Sequence, residues 1–165
     1  MSEIEGWFAG RLPDEWFEGA PEVTVDREEI VVVGTLAAPA VDGDETAARA
    51  AQSGRITRWR EDTRGERMRI ADEAQQRFGG KVAWGAQCGP TREVFTNLAV
   101  PVMTRLRQPE RRVLDTLVDA GVARSRSEAL AWCVRLVGQH EDDWIGRLRD
   151  AVAAVHDVRD EGPAA

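Results

Sequence analysis

Pro101-Val-Met-Thr-Arg-Leu-Arg-Gln-Pro109 runs directly into Glu110-Arg-Arg-Val-Leu-Asp-Thr-Leu-Val-Asp-Ala-Gly121, and Ser125-Arg-Ser-Glu-Ala-Leu130 follows shortly after. This passage decides the reading of the chain: a short strand, a helix, a glycine stop and a second helix with its own N-cap. Pro109 suits the first turn of a helix, where its missing N–H is no loss. Val113, Leu114, Leu117 and Val118 recur at the three-to-four spacing of an inward helix face. Gly121 suits the position just past a helix end. Ser125 or Ser127 caps the second helix, and Glu128 completes a capping box with Ser125. Leu130, Val134 and Val137 continue the apolar stripe to about Gly138.

With Leu106 facing the core, period-two alternation puts Val102 and Thr104 inward and Met103, Arg105 and Arg107 outward. Two arginines then project from one face of a single strand that has no partner inside its own module. Such a strand is unstable alone. Paired antiparallel with a dyad-related copy, it forms a ribbon of a width that the DNA major groove accepts. Each arginine can give two hydrogen bonds to O6 and N7 of guanine, worth about 1–3 kcal/mol of discrimination. The first amides of the second helix, with Ser125 and Ser127, offer a helix N-terminus to a backbone phosphate. Arg124 and Arg126 add positive charge there.

Residues 100–137 resemble the ribbon-helix-helix superfamily, the regulators of Arc, MetJ and CopG type. The resemblance is carried by the Thr104-Arg-Leu-Arg107 strand, the Pro109-started helix closing at Gly121, and Ser125-Arg-Ser-Glu-Ala-Leu130. It covers about a quarter of the chain and implies an intertwined homodimer on palindromic half-sites of double-stranded DNA. Met103, Arg105 and Arg107 map to base-reading positions, and Ser125 to Ser127 to the phosphate clamp. The implied function is a sequence-specific transcriptional regulator. A second reading keeps the module and drops the DNA: the strand-helix-helix serves only dimerisation or complex assembly, in an adaptor that meets a protein partner through residues 1–98. The module is usually near the N-terminus in that superfamily, and here about 100 residues precede it.

The chain has 165 residues, 42% apolar and 31% charged, with a net charge of -7. That is the make-up of a soluble globular protein with a real core, and the net charge argues against indiscriminate nucleic-acid binding. The charge is unevenly spread. Residues 1–45 carry twelve acids and two arginines, and residues 141–165 seven acids and three arginines. Between these acidic ends, residues 55–69 hold six arginines against three acids, and residues 100–135 seven against four. No apolar run approaches the roughly 20 residues that span a bilayer, and Met1–Trp7 lacks the basic and apolar regions of a signal peptide. The expected compartment is the cytoplasm, with no membrane partner.

Toward the N-terminus, Trp7, Phe8, Trp16 and Phe17 read as aromatic anchors on an irregular arm. Glu22–Asp26 and Ile30–Gly34 read as a β-hairpin around Asp26-Arg-Glu-Glu29, with the second strand more buried because it is apolar throughout. A helix is expected from about Glu45 to Phe78, bent or broken at Gly54 or Gly65 and ended by Gly79-Gly80. Lys81–Gln87 alternates as a strand, Gly89-Pro90 is a turn, and Glu93–Leu98 is a second strand. A last amphipathic helix spans about Glu141 to Val158 through Trp144, Leu148, Val152 and Val155. The expected fold class is therefore α+β. An N-terminal module over residues 1–98 holds an acidic arm (1–44), a basic helix (45–78) and short strands. A strand-helix-helix module with an extra C-terminal helix covers 99–160, and a disordered tail covers 161–165.

Arg60, Arg64 and Arg67 fall on one face of the long helix if it is continuous. They make either a second phosphate-contacting surface or an ordinary solvated face with pairs such as Glu66–Arg69. Trp84-Gly-Ala-Gln-Cys88-Gly-Pro90 puts a thiol beside a tight turn, without a histidine base to activate it. Cys133 lies near the apolar stripe of the second helix and reads as packing. The two cysteines form no CxxC, and with His140 and His156 they match no familiar zinc spacing. The acids at 26–29 and 141–143 lack the pattern of a calcium loop. There is no phosphate-loop or dinucleotide glycine fingerprint. No catalytic residue, metal or cofactor is expected, and the chain reads as a non-enzyme.

Overall fold

The structure, a computed structural model, describes residues 2–96, 98–140 and 144–162. Its elements are α1 (Glu3–Arg11), β1 (Glu22–Val25), β2 (Glu29–Thr35), α2 (Glu45–Asp62), α3 (Arg64–Phe78), β3 (Lys81–Cys88), β4 (Thr91–Val94), α4 (Gln108–Asp119), α5 (Arg126–Gly138) and α6 (Gly146–Glu161). The fold class is α+β. The chain divides into two compact units, Met1–Pro101 and Val102–Ala165, a division three residues beyond the expected 98/99 join.

In the first unit two antiparallel hairpins lie side by side. β1 pairs with β2 and β3 with β4, and the central pair, β2 with β3, is parallel. The resulting sheet has the order β1-β2-β3-β4. A parallel pair needs a long crossover, and α2 and α3 supply it. Ile30 and Val32 of β2 and Trp84, Ala86 and Cys88 of β3 point alternately into one core with Ile56, Trp59 and Ile70 of the helices. The expected β1–β2 hairpin is present. Asp26 Oδ1 accepts hydrogen bonds at 2.8 Å from the amides of both Glu28 and Glu29, so this acidic cluster is a turn device.

Three expectations for this unit are corrected. The N-terminal arm begins as helix α1, not irregular chain. Ser2 Oγ accepts from the Glu5 amide and Glu5 Oε2 accepts from the Ser2 amide, a full capping box. Gly6 and Gly10 lower the helix propensity of this stretch, but the cap and the complete burial of Phe8 outweigh them. The acidic arm is thus part of the folded unit, with Phe8, Leu12 and Trp16 in its core. The long helix is broken at neither glycine but at Thr63, whose ψ of 1° ends α2 and starts α3. The last strand is Thr91–Val94 rather than Glu93–Leu98. Pairing resumes at Cys88↔Thr91, directly after the two-residue Gly89-Pro90 turn, and residue 97 lies outside the described residues.

Gly34 is required by its neighbour: a Cβ there would lie 2.1 Å from the ring of Phe17. The Phe17 ring of the N-terminal arm therefore packs against β2 where the strand has no side chain.

The second unit is built on α4 and α5. Gly121 takes φ +75° after α4, as its place in the sequence predicts. Ser125 caps α5, its Oγ accepting from the Glu128 amide at 3.2 Å. The expected strand at 102–107 is corrected: these residues form no strand in the structure. A strand is held by its neighbour's hydrogen bonds, and no strand among the described residues lies beside this segment. Within the expected C-terminal helix, residues 141–143 lie outside the described residues. α6 runs on to Glu161, so the expected tail begins as helix, and 163–165 lie outside the described residues. No helix among the described residues is long and apolar enough to cross a membrane.

Candidate functional site

The side chains of the second unit sort into a small buried set and a large exposed one. Leu114, Ala123 and Ala129 are its buried hydrophobic residues, with Leu106, Leu117, Val118, Leu130 and Cys133 packed partly against them. Leu106 does face this core, as alternation predicts. Val102 does not turn inward: it is 86% exposed, and Thr104 is exposed too. Val113, Val134 and Val137, expected on inward helix faces, are also exposed. Period-two and helical patterns identify the apolar positions, but these side chains are exposed rather than buried. Met103 is 96% exposed, and Arg105 and Arg107 are exposed with no ion pair among the described residues. Arg107 is extended, with φ -80° and ψ 174°, at the N-cap of α4.

The N-terminus of α5 is more heavily engaged than the sequence implies. Arg124 donates to Glu128, whose Oε2 also accepts from the Arg124 amide at 2.9 Å. Arg126 binds both carboxylate oxygens of Asp115, at 2.6 and 2.8 Å. These pairs hold the Asp115 and Glu128 carboxyls below their ordinary range, through the arginine hydrogen bonds first. Ser125 Oγ is occupied by capping, and Ser127 is exposed at the first turn.

A second site lies wholly in the first unit. Thr63 breaks the helix, and its Oγ1 donates to the Trp59 carbonyl at 2.6 Å and accepts from Arg67 Nε at 2.9 Å. Arg67 Nη2 donates to the Arg60 carbonyl at 2.5 Å. The guanidinium of Arg67 is thereby drawn back against the aromatic residues, 5.2 Å from the ring centroid of Trp59 and 5.3 Å from that of Phe95. Arg60 lies over Phe95 at 5.1 Å. Arg60, Arg67 and Phe95, with Arg64 on the first turn of α3, line a cleft of about 500 Å³ together with Val82 and Trp84 of β3 and Ala71 of α3.

The electrostatics of this cleft are one-sided. Arg67 is only 7% exposed, yet no carboxylate pairs with Arg60, Arg64 or Arg67 among the described residues. Burial pushes the Arg67 guanidinium down to about 10, and repulsion from Arg60 and Arg64 adds to it. Arg67 stays charged at neutral pH with two of its five N–H donors used. Cation–π contacts offset part of this cost. The three arginines singled out in the sequence do come together, through a helix break rather than a continuous face. The Glu66–Arg69 pair expected of a solvated face is also present, at 2.9 Å. Trp59, Thr63, Trp84 and Phe95 were missed as site residues. Phe95, just past β4, is 28 positions from Arg67, and only the tertiary packing of β4 beside α2 brings them together. Beneath the cleft, the Nε1 atoms of Trp59 and Trp84 are buried without a hydrogen-bond partner among the described residues.

Other sequence candidates take bland roles. Cys88 is fully buried, and burial pushes its thiol up, away from reactivity. Cys133 packs against the α4–α5 core. His140 and His156 are exposed. Among the described residues no group of histidines, cysteines and acids is placed to hold a metal ion, and the acids at 141–143 lie outside them.

Comparison with known proteins gives two matches along the chain. Residues 2–94 match the family described as Rv1265-like protein, N-terminal domain, and residues 107–159 match the Mb1296 C-terminal domain. Neither description is of a ribbon-helix-helix family. Similar proteins include Mb1296 of Mycobacterium bovis and Rv1265 of Mycobacterium tuberculosis. Each is 62% identical over 157 residues, which cover 95% of this chain and 69% of the relative. No solved structure matches the chain. The two matched segments fall one in each compact unit.

Proposed function

The chain belongs to the Rv1265-like protein family, and we propose that it is a homodimeric, sequence-specific DNA-binding protein that regulates transcription. The observation that carries this is the state of residues 102–107. Leu106 packs on the α4–α5 core, while Met103, Arg105 and Arg107 project into solvent from a segment with no strand partner. A second copy paired across this segment would supply the missing hydrogen bonds and cover Val102, Val113, Val134 and Val137. A unit with so few buried side chains gains most from such a partner. Arg105 and Arg107 of each copy would then lie together on one ribbon face and reach guanine edges in the major groove. The second helix would set its N-terminus toward a phosphate, with Ser127 free to donate and Arg126 exchanging Asp115 for the backbone. The reading involves no catalytic step, and its compartment is the cytoplasm, where bacterial DNA lies.

A specific observation favours the alternative of a dimerisation or assembly module in an adaptor protein. Arg124 and Arg126 already have internal carboxylate partners, which removes charge from the expected phosphate clamp. The experiment that separates the two is binding of the full chain to genomic DNA fragments across a salt series, with light scattering for oligomeric state. Dimers that retain defined fragments support the regulator. Dimers that retain none support the adaptor, and monomers at micromolar concentration contradict both.

A further inference from the structure

We propose that the arginine cleft of the first unit binds a small phosphorylated molecule carrying a flat apolar group, a mononucleotide in chemical class. The starting point is a charge that the protein itself does not balance. Arg67 is buried, with Arg60 and Arg64 beside it and no carboxylate paired to any of the three among the described residues. Glu61 is the single acid lining the cleft among the described residues. A buried cation without a counter-ion is costly unless something else completes it. Here the protein has instead added two more arginines, and both are exposed and without ion pairs among the described residues. An anion entering the cleft would meet three guanidiniums, the side chain that pairs with phosphate oxygens in a bidentate fork.

The rest of the lining sets the rest of the ligand. Val82, Trp84 and Ala71 are apolar, and Thr57 and Thr96 add hydroxyls to the lining. About 500 Å³ is the size of a cleft for a small organic ligand, and far more than a lone phosphate fills. A ligand with a charged end and a flat apolar end fits a lining of arginines and apolar side chains. A long nucleic acid fits it less well. Residues 1–101 hold eighteen acids against twelve bases, net -6, so a chain of phosphates would be repelled outside the cleft. One phosphate held inside would not.

The site is independent of the ribbon, and its test needs no DNA. The full chain is titrated with adenosine 5′-monophosphate, adenosine and inorganic phosphate, read by calorimetry and by tryptophan fluorescence. Adenosine 5′-monophosphate is expected to bind saturably, with adenosine and phosphate each at least about tenfold weaker. Arg60→Ala and Arg64→Ala, both at exposed positions, should each weaken the nucleotide by about tenfold or more while leaving the melting temperature unchanged. No saturable binding of the nucleotide overturns the proposal. So does equal binding by both variants, or phosphate binding as tightly as the nucleotide. Binding of a single-stranded oligonucleotide without the mononucleotide overturns it in favour of a nucleic-acid surface.

Discussion

The guanidinium of Arg67 lies over the indole of Trp59, 5.2 Å from the ring centroid, with no carboxylate paired to it among the described residues. Two residues eight apart in sequence meet this way because Thr63 breaks the helix between them and returns the side chain across the break. The arrangement spends a buried charge on a position that an apolar residue of similar length could fill.

Arg67→Met therefore separates stability from binding. Its hydrogen bonds to Thr63 and Arg60 are lost, at about 1.5–3 kcal/mol for each bond from a charged donor at most. Against this stands the removal of a desolvated, uncompensated charge, worth several kcal/mol. The urea midpoint of the variant is expected to be unchanged or higher, while nucleotide binding is lost. A drop in stability of more than about 1 kcal/mol would show that Arg67 is held for packing.

Gly34→Ala tests the packing of the N-terminal aromatic residues on β2. A methyl group there would meet the Phe17 ring at 2.1 Å. The ring must leave its place, and overpacking of this kind costs about 1–3 kcal/mol. Denaturant unfolding of the two proteins measures it. An unchanged midpoint would mean that Phe17 does not pack on Gly34 in solution.

The link between the sheet's two outer strands titrates in acid. Arg92 of β4 donates two hydrogen bonds to Glu22 of β1, at 2.8 and 2.9 Å, and holds its carboxyl below the ordinary range. The folded value lies below the unfolded one, so the pair stabilises above the unfolded glutamate pKa of about 4.3 and is lost as pH falls through the folded value. Stability followed by circular dichroism should decline below about pH 4. Glu22→Gln should make that decline shallower, and an identical acid profile would remove Glu22 from the account. Both side chains are largely exposed, so the effect is modest.

Asp115 restrains Arg126, and on the proposed DNA-binding reading its removal should be felt by DNA. Asp115→Ala frees the Arg126 guanidinium at the start of α5. Affinity for random duplex should rise, and the salt dependence should steepen by about one unit per protomer. A filter-binding series at several salt concentrations reads both. No change in either would place Arg126 away from the phosphates.

Much of the second unit was legible in the sequence because its signals are local. Pro109, Gly121 and Ser125 act within a turn of their own positions, and α4 and α5 begin and end accordingly. The first unit was less legible. Its hairpins could be read from alternation, but nothing local distinguishes a parallel β2–β3 pair from an antiparallel one; that is set by the crossover. α1 was hidden by Gly6 and Gly10, whose low propensity is offset by a cap and by burial of Phe8. The arginines of the cleft were visible as a cluster. Their relation to Phe95 and Trp84 was not, because residues on different elements share no periodicity.

The most direct test of the central claim is a titration of wild type, Arg105→Ala and Arg107→Ala on one selected duplex and one random duplex. Both side chains are exposed and without ion pairs among the described residues, so stability should be unaffected. Each substitution should cost about 1–3 kcal/mol on the selected duplex for each contact, twice over in a symmetric dimer, and much less on the random one. If both variants bind the selected duplex like wild type, residues 102–107 do not read DNA, and the adaptor reading replaces the regulator.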